Sequence, residues 1–233
     1  MPARPVIGVL GGMGPGASAE FYRRLVVATP ARRDQDHLHV LIDSDPSVPD
    51  RTDALIHGGP SPVPTLRQMA RRLSDAGADV LVMACNTASA FLPELTDAVP
   101  VPIVDWIDVV AAGLCRTCGE GDSVAVLATD GTSATRLYDA ALERHGVAVV
   151  SVADVQPEVM SIIRDCKAGM PVADLAPRLD RIVTDLTGRG TACVLLACTE
   201  LSELLPGMTT RPVDAMDLVV AHLMRLVADW KEA

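Results

Sequence analysis

Two of the six cysteines stand in matching settings. Cys85 closes the run Val80-Leu81-Val82-Met83-Ala84 and is followed by Asn86-Thr87. Cys198 closes Cys193-Val194-Leu195-Leu196-Ala197 and is followed by Thr199-Glu200. Each thiol therefore ends a strand-like apolar run and opens a polar turn ahead of a helix. Backbone N–H groups and a helix N-terminus at such a position are expected to lower a thiol pKa from about 8.5. A single cysteine of this kind reads as a small buried hydrophobe. A pair at equivalent points of a repeat reads as two opposed acid/base groups. One thiolate takes a proton from a stereocentre and the other thiol returns one to the opposite face, which is two-base racemisation or epimerisation. The carbanion then needs N–H donors or cationic side chains. Cys115, Cys166 and Cys193 keep the reading of buried hydrophobes. Cys115-Arg116-Thr117-Cys118 lacks two further ligands at suitable spacing, so no metal site is expected.

The elements that must position these thiols are legible as alternating patterns. Strand-like runs lie at 6–10, 38–42, 80–83 and 101–104, then again at 124–127, 147–152 and 194–196. Helical patterns lie at 17–28, through Leu66, Met69, Ala70 and Leu73 up to Gly77, at 133–145 and at 175–186. Such alternation implies an α/β fold with parallel sheets. The two cysteine motifs are 113 positions apart, and the loops after Leu10 and Leu127 are 117 apart. We therefore expect two similar lobes, each a four-stranded parallel sheet flanked by helices, related by pseudo-two-fold symmetry. The first lobe spans 1–105 and the second 106–207. A final segment, about 208–233 with an amphipathic helix over 214–230, is expected to pack back on the first lobe. In open α/β sheets ligands bind beyond the carboxyl ends of the strands. The loops at 11–16, 43–51, 85–87, 129–133 and 198–200 all occupy such ends, so the active site is expected in the cleft between the lobes.

Composition narrows the function classes. The 233 residues are 49% hydrophobic and 21% charged, which is globular composition. Aromatics are 3% and the net charge is −10, so neither base stacking nor a nucleic-acid partner is expected. No uncharged apolar run reaches the roughly 18 residues of a membrane span, and residues 1–5 show no signal-peptide core. A cytoplasmic location with reduced cysteines is expected.

At this point the motifs resemble a known family. Ile7-Gly8-Val9-Leu10-Gly11-Gly12-Met13-Gly14-Pro15, Pro49-Asp50-Arg51-Thr52, Met83-Ala84-Cys85-Asn86-Thr87-Ala88, Leu127-Ala128-Thr129-Asp130-Gly131-Thr132, Lys167-Ala168-Gly169 and Ala197-Cys198-Thr199-Glu200-Leu201 are similar to the aspartate/glutamate racemase superfamily, most of all to its aspartate racemase branch. The resemblance implies an amino-acid racemase that needs no pyridoxal phosphate or other cofactor. It implies a dicarboxylic amino acid as substrate and a homodimer. Cys85 and Cys198 would be the catalytic acid/base pair. Arg51 and Lys167 would hold substrate carboxylates, as the fork of an arginine and the charge of a lysine suit. Met13, Asn86, Thr87, Thr129, Thr132, Thr199 and Glu200 would complete the substrate contacts. Asp50 is expected to cap a turn. Three positions depart from the family: Ser89 and Ile163 stand where His and Tyr are usual, and Ala197 replaces a Gly.

Three other readings compete. Gly12-Met13-Gly14-Pro15-Gly16-Ala17 fits a dinucleotide-binding G-x-G-x-x-A, but explains neither cysteine; the bland role of these glycines is a tight strand–helix turn. The same scaffold also suits a hydantoin-type racemase, an isomerase or a decarboxylase. A non-catalytic amino-acid-binding protein is the third. His37 and His39 are two ligands short of a metal site.

Overall fold

The computed structural model describes residues 4–117 and 121–230. Residues 1–3, Cys118 of the C-x-x-C and residues 231–233 of the final segment lie outside them. The apolar run Ile7–Gly11 (β1) is wholly buried and sits at the middle of the first sheet. It pairs in parallel with Val40–Ser44 (β2) on one side and Val80–Met83 (β3) on the other. The second sheet repeats this plan. Ser123–Leu127 (β4) is flanked by Ala148–Val150 (β5) and Cys193–Leu196 (β6), and Val213–Asp214 (β7) extends it beyond β6, all in parallel. Continuous apolar strands buried on both faces are what a parallel sheet covered by helices requires.

One expectation needs correction: the first sheet has three strands and only the second has four. Residues 101–104 lie beside β3, where they make a single parallel bridge, Leu81 to Ile103. Leu81 N–H donates to Pro102 O (2.9 Å) and Val104 N–H to Leu81 O (2.8 Å). Pro100 and Pro102 carry no N–H, so the run takes the fourth position without a ladder. Likewise, the helix expected over 133–145 is two, Asp130–Thr135 (α5) and Leu137–Glu143 (α6), separated by Arg136 in the left-handed region at φ 51°.

The remaining helices are Pro15–Ala28 (α1), Arg51–Ile56 (α2), Val63–Asp75 (α3), Trp106–Leu114 (α4), Gln156–Lys167 (α7), Val172–Gly188 (α8), the single turn Thr199–Ser202 (α9) and Ala215–Asp229 (α10). The helices α2, α4 and α7 have no counterpart in the sequence-based expectations. A shared core joins the two sheets. It runs from Ile7, Phe21 and Leu25 through Trp106 and Val110 to Val124, Tyr138 and Leu142, and on to Met216, Val219 and Leu223. The C-terminal helix α10 packs against both α1 and α4 within it. Two outer cores cover the far faces, one around Leu66, Met69 and Leu81, the other around Ile162, Leu179 and Leu196.

The glycine loop after β1 is a steric necessity at one residue. Gly12 has φ +85°, and a Cβ there would come within 2.4 Å of the Asp45 backbone. Ser18 of α1 braces the loop: its hydroxyl donates to Gly14 O (2.8 Å) and accepts from Gly12 N–H (2.9 Å).

Candidate active site

The carboxyl ends of both sheets meet at a small cavity of about 20 Å³, room for about one water. It is lined by Met13, Asp50, Arg51, Thr52, Cys85, Asn86, Thr87, Thr129, Lys167, Cys198, Thr199 and Glu200. Of the residues expected from the sequence to act on or bind the substrate, only Thr132 is not in this lining. It stands directly behind it: the hydroxyls of Thr87, Thr129 and Thr132 form a triangle with sides of 2.9, 3.0 and 3.1 Å. Thr87 follows β3, whereas Thr129 and Thr132 follow β4, so the triangle bridges the two sheets. At the same seam α2 packs against α5. Gly131 makes this possible, since a Cβ there would sit 2.9 Å from the Thr52 Cα and 3.1 Å from the Thr87 methyl.

Two cations face the cavity. Arg51 is the first residue of α2, whose N-terminus is capped by Asp50 accepting from Asp53 N–H at 2.8 Å. Arg51 Nη1 donates to the carbonyls of Val48 and Pro49 (both 3.1 Å), and Nη2 to that of Met13 (3.3 Å). Among the described residues no carboxylate pairs with this guanidinium, which leaves its charge for a ligand. Met13 thus contributes a carbonyl, while its side chain is buried in an outer core. Lys167 ends α7, and its Nζ lies 3.6 Å from Glu200 Oε1. Burial pulls the Lys167 ammonium down, but the charge of Glu200, with that of Cys198 and Cys85 when they are thiolates, outweighs it and leaves its pKa raised.

The two thiols are both buried, and Cys198 departs from the expectation of a lowered pKa. Its Sγ donates to Glu200 Oε2 at 3.0 Å, and Thr199 Oγ1 donates to the same oxygen at 3.3 Å. Burial first, then the Glu200 charge, push the Cys198 thiol well above its ordinary value; Lys167 offsets this only in part. The helix it opens is a single turn, too short for a dipole to compete with a buried carboxylate 3.0 Å away.

Two of the positions that depart from the resembled pattern, Ser89 and Ile163, stand outside the cavity wall. Ile163 is buried in the outer core of the second sheet, and Ser89 is buried in the 3₁₀ turn Thr87–Glu94; neither is among the lining residues. The glycine loop is also occupied. Cβ atoms at Gly14 and Gly16 would lie 3.3 Å from Glu200 Oε1 and 3.2 Å from Glu203 Oε1. The N-terminus of α1, where a dinucleotide pyrophosphate would sit, is therefore met by two carboxylates. A larger outer cleft of about 440 Å³ adjoins the cavity and shares Asp50, Arg51, Lys167 and Glu200 with it. Among the described residues no group of three or more His, Cys, Asp or Glu is arranged to hold a metal ion. None of their helices is long and apolar enough to cross a membrane.

Sequence reasoning missed Thr52 and Tyr138. Thr52 adjoins Arg51 in the quoted motif, so its neighbour was the signal. No spacing marks Tyr138, whose hydroxyl donates a short hydrogen bond to Asn86 Oδ1 from the far side of the site.

Comparison with known proteins bears on the family and the fold. The family model "Asp/Glu/Hydantoin racemase" matches residues 10–226. The aspartate racemase of Picrophilus torridus superimposes with a TM-score of 0.85 at 26% identity, covering 98% of this chain and 96% of that one. An aspartate racemase homologue from Pyrococcus horikoshii OT3 shares the fold, with a TM-score of 0.75 at 23% identity over 97% of this chain and 100% of its own. A glutamate racemase of Pseudomonas putida (strain F1) is 30% identical over 169 residues, 69% of this chain. The match spans only 62% of that enzyme's length.

Proposed function

The chain belongs to the Asp/Glu/hydantoin racemase family, and from that premise we propose that it racemises an acidic amino acid, aspartate, glutamate or a close analogue, by proton transfer at Cα between two thiols. The observation that carries the reading is one cavity lined by Cys85 and Cys198 together with Arg51 and Lys167. The unpaired guanidinium of Arg51 takes one carboxylate of the substrate as a fork, and Lys167 takes the other. The substrate ammonium is drawn to Glu200 Oε1, a buried oxygen 3.6 Å from Lys167 Nζ that accepts no hydrogen bond among the described residues.

The proton count closes as follows. In the active form one cysteine is a thiolate and the other a thiol. The thiolate takes the Cα proton, the pair of electrons left on Cα delocalises into the α-carboxylate, and the opposite thiol delivers its proton to the other face. The two cysteines end with exchanged protonation. For Cys198 to begin as the base, its proton must go elsewhere, and Glu200 Oε2 at 3.0 Å is the acceptor in place. The enolate charge is stabilised by the hydroxyls and amide of the cavity wall.

The test is proton NMR in heavy water with L- and D-aspartate and L- and D-glutamate, joined to chiral chromatography. Loss of the Cα proton signal with appearance of the antipode is expected for at least one pair. Cys85→Ala and Cys198→Ala should each abolish racemisation. No exchange with any of the four, or full racemisation by Cys198→Ala, would overturn the reading. The same reading carries a homodimer, which light scattering of the purified protein checks.

A further inference from the structure

Asn86 follows Cys85 directly and lines the cavity, yet half of its amide is spoken for from behind. Tyr138, on α6 of the second sheet's half, is 2% exposed, and its hydroxyl donates to Asn86 Oδ1. Asn86 Nδ2 is buried and has no hydrogen-bond acceptor among the described residues. Burial sets the polarity of this contact. Burial above all, with the charges of Asp214 and Asp105, holds the Tyr138 phenol well above its ordinary pKa, so it keeps its proton. A protonated phenol is a donor, and the amide oxygen of Asn86 is the acceptor it meets. An amide whose oxygen accepts from the phenol must turn its NH₂ the other way.

We infer that Tyr138 is a positioning residue of the site: its hydroxyl fixes the Asn86 amide so that Nδ2 donates into the cavity beside Cys85, to the α-carboxylate of the substrate. This rests on the racemase reading above. The carboxylate gains charge as Cα loses its proton, so a donor held in advance acts mainly on the transition state. A freely turning amide would present its oxygen to that carboxylate part of the time and repel it. Tyr138 belongs to the core shared by both sheets, so the orientation of one cavity donor is set by packing between the two halves.

Tyr138→Phe keeps the ring and deletes the hydroxyl. Removing an oxyanion donor outright costs about 10²–10³ in kcat; loosening one is expected to cost between about tenfold and a hundredfold, with KM changed much less. Asn86→Asp keeps an acceptor for Tyr138 but has no N–H for the cavity, and is expected to lose at least as much kcat while remaining folded. In the double variant Tyr138→Phe/Asn86→Ala the losses should not multiply, because both remove one device. The second readout is the Asn86 side-chain NH₂ pair in ¹⁵N–¹H NMR, assigned by its loss in Asn86→Ala; its signals should move or broaden in Tyr138→Phe. If the wild type racemises and either Tyr138→Phe or Asn86→Asp keeps kcat within twofold, or the losses multiply, the inference fails and the function stands. If the wild type racemises nothing, the function fails, and the NH₂ signals decide alone: unmoved signals overturn the positioning of Asn86, and shifted ones sustain it.

Discussion

Cys198 and Glu200 show how one hydrogen bond redirects a residue's chemistry. The thiol donates to a buried carboxylate and is held protonated by burial and by that charge. Glu200→Gln removes the charge, so the Cys198 thiol should ionise more readily and react with iodoacetamide several-fold faster in the resting protein, since each pKa unit is about a tenfold change in thiolate. The same variant loses the proton acceptor for Cys198, and racemisation should fall about a hundredfold. The fall in kcat/KM must be equal from either enantiomer, because the equilibrium between antipodes is fixed at unity. Peptide mapping of the alkylated cysteine and chiral kinetics check both effects. Unchanged alkylation together with unchanged kcat would show that Glu200 is not the partner of this thiol.

At the scale of elements, the cavity depends on helix ends being brought to strand ends. Lys167 is placed by the last turn of α7, and α7 packs on α8. Asp180 of α8 is tied in turn to the chain leading into β7. It accepts from Thr209 N–H (2.7 Å), Thr209 Oγ1 (2.9 Å) and Thr210 N–H (2.9 Å), and from the Thr210 hydroxyl. Partial burial pushes its carboxyl up, but these bonds pull it down to about 2. A lowered folded pKa means that the stabilisation is fully present above the unfolded value and is lost as pH falls toward about 2. Asp180→Asn should therefore cost about 1 kcal/mol near neutral pH, after allowance for solvent screening, and progressively less below about pH 4. Urea unfolding midpoints of the two proteins at about pH 7 and about pH 3 check this; a constant gap would contradict it.

For the whole molecule, a buried ion cluster clamps the N-terminal helix to the C-terminal one. Arg24 of α1 donates to Glu20 (2.8 Å), to Asp217 of α10 (2.7 Å), to the Ser202 carbonyl of α9 (2.9 Å) and to Asp214 of β7. Asp214 also accepts from Ser202 Oγ (2.7 Å) and from Met216 N–H (3.0 Å), the latter as the cap of α10. The Asp214 side chain is 1% exposed. Arg24→Ala would strand that carboxylate in the interior and should cost about 3 kcal/mol, of which adding Asp214→Asn should recover a part. Thermal unfolding of the single and double variants measures this. Equal losses in both would mean that Arg24 acts through packing alone.

The sequence by itself determined the α/β class, the parallel strands, the internal repeat and nearly every residue of the cavity wall. Those features are written in local periods and in two motifs at strand ends, and a buried parallel strand places its terminal residue at the sheet's carboxyl edge wherever it occurs. Only the tertiary structure decided what each group does there. The pairing of Cys198 with Glu200 across two positions reverses the expected shift of a thiol, because burial sets how strongly a carboxylate acts. The prolines around Ile103 turned an apolar run into a single bridge, because a ladder needs N–H groups. Arg136 split a helix through a backbone conformation that its sequence does not announce. Tyr138 reaches Asn86 across 52 positions, a contact made by the packing of one half on the other. No periodicity encodes such a contact, because it depends on where two separately formed surfaces come to rest.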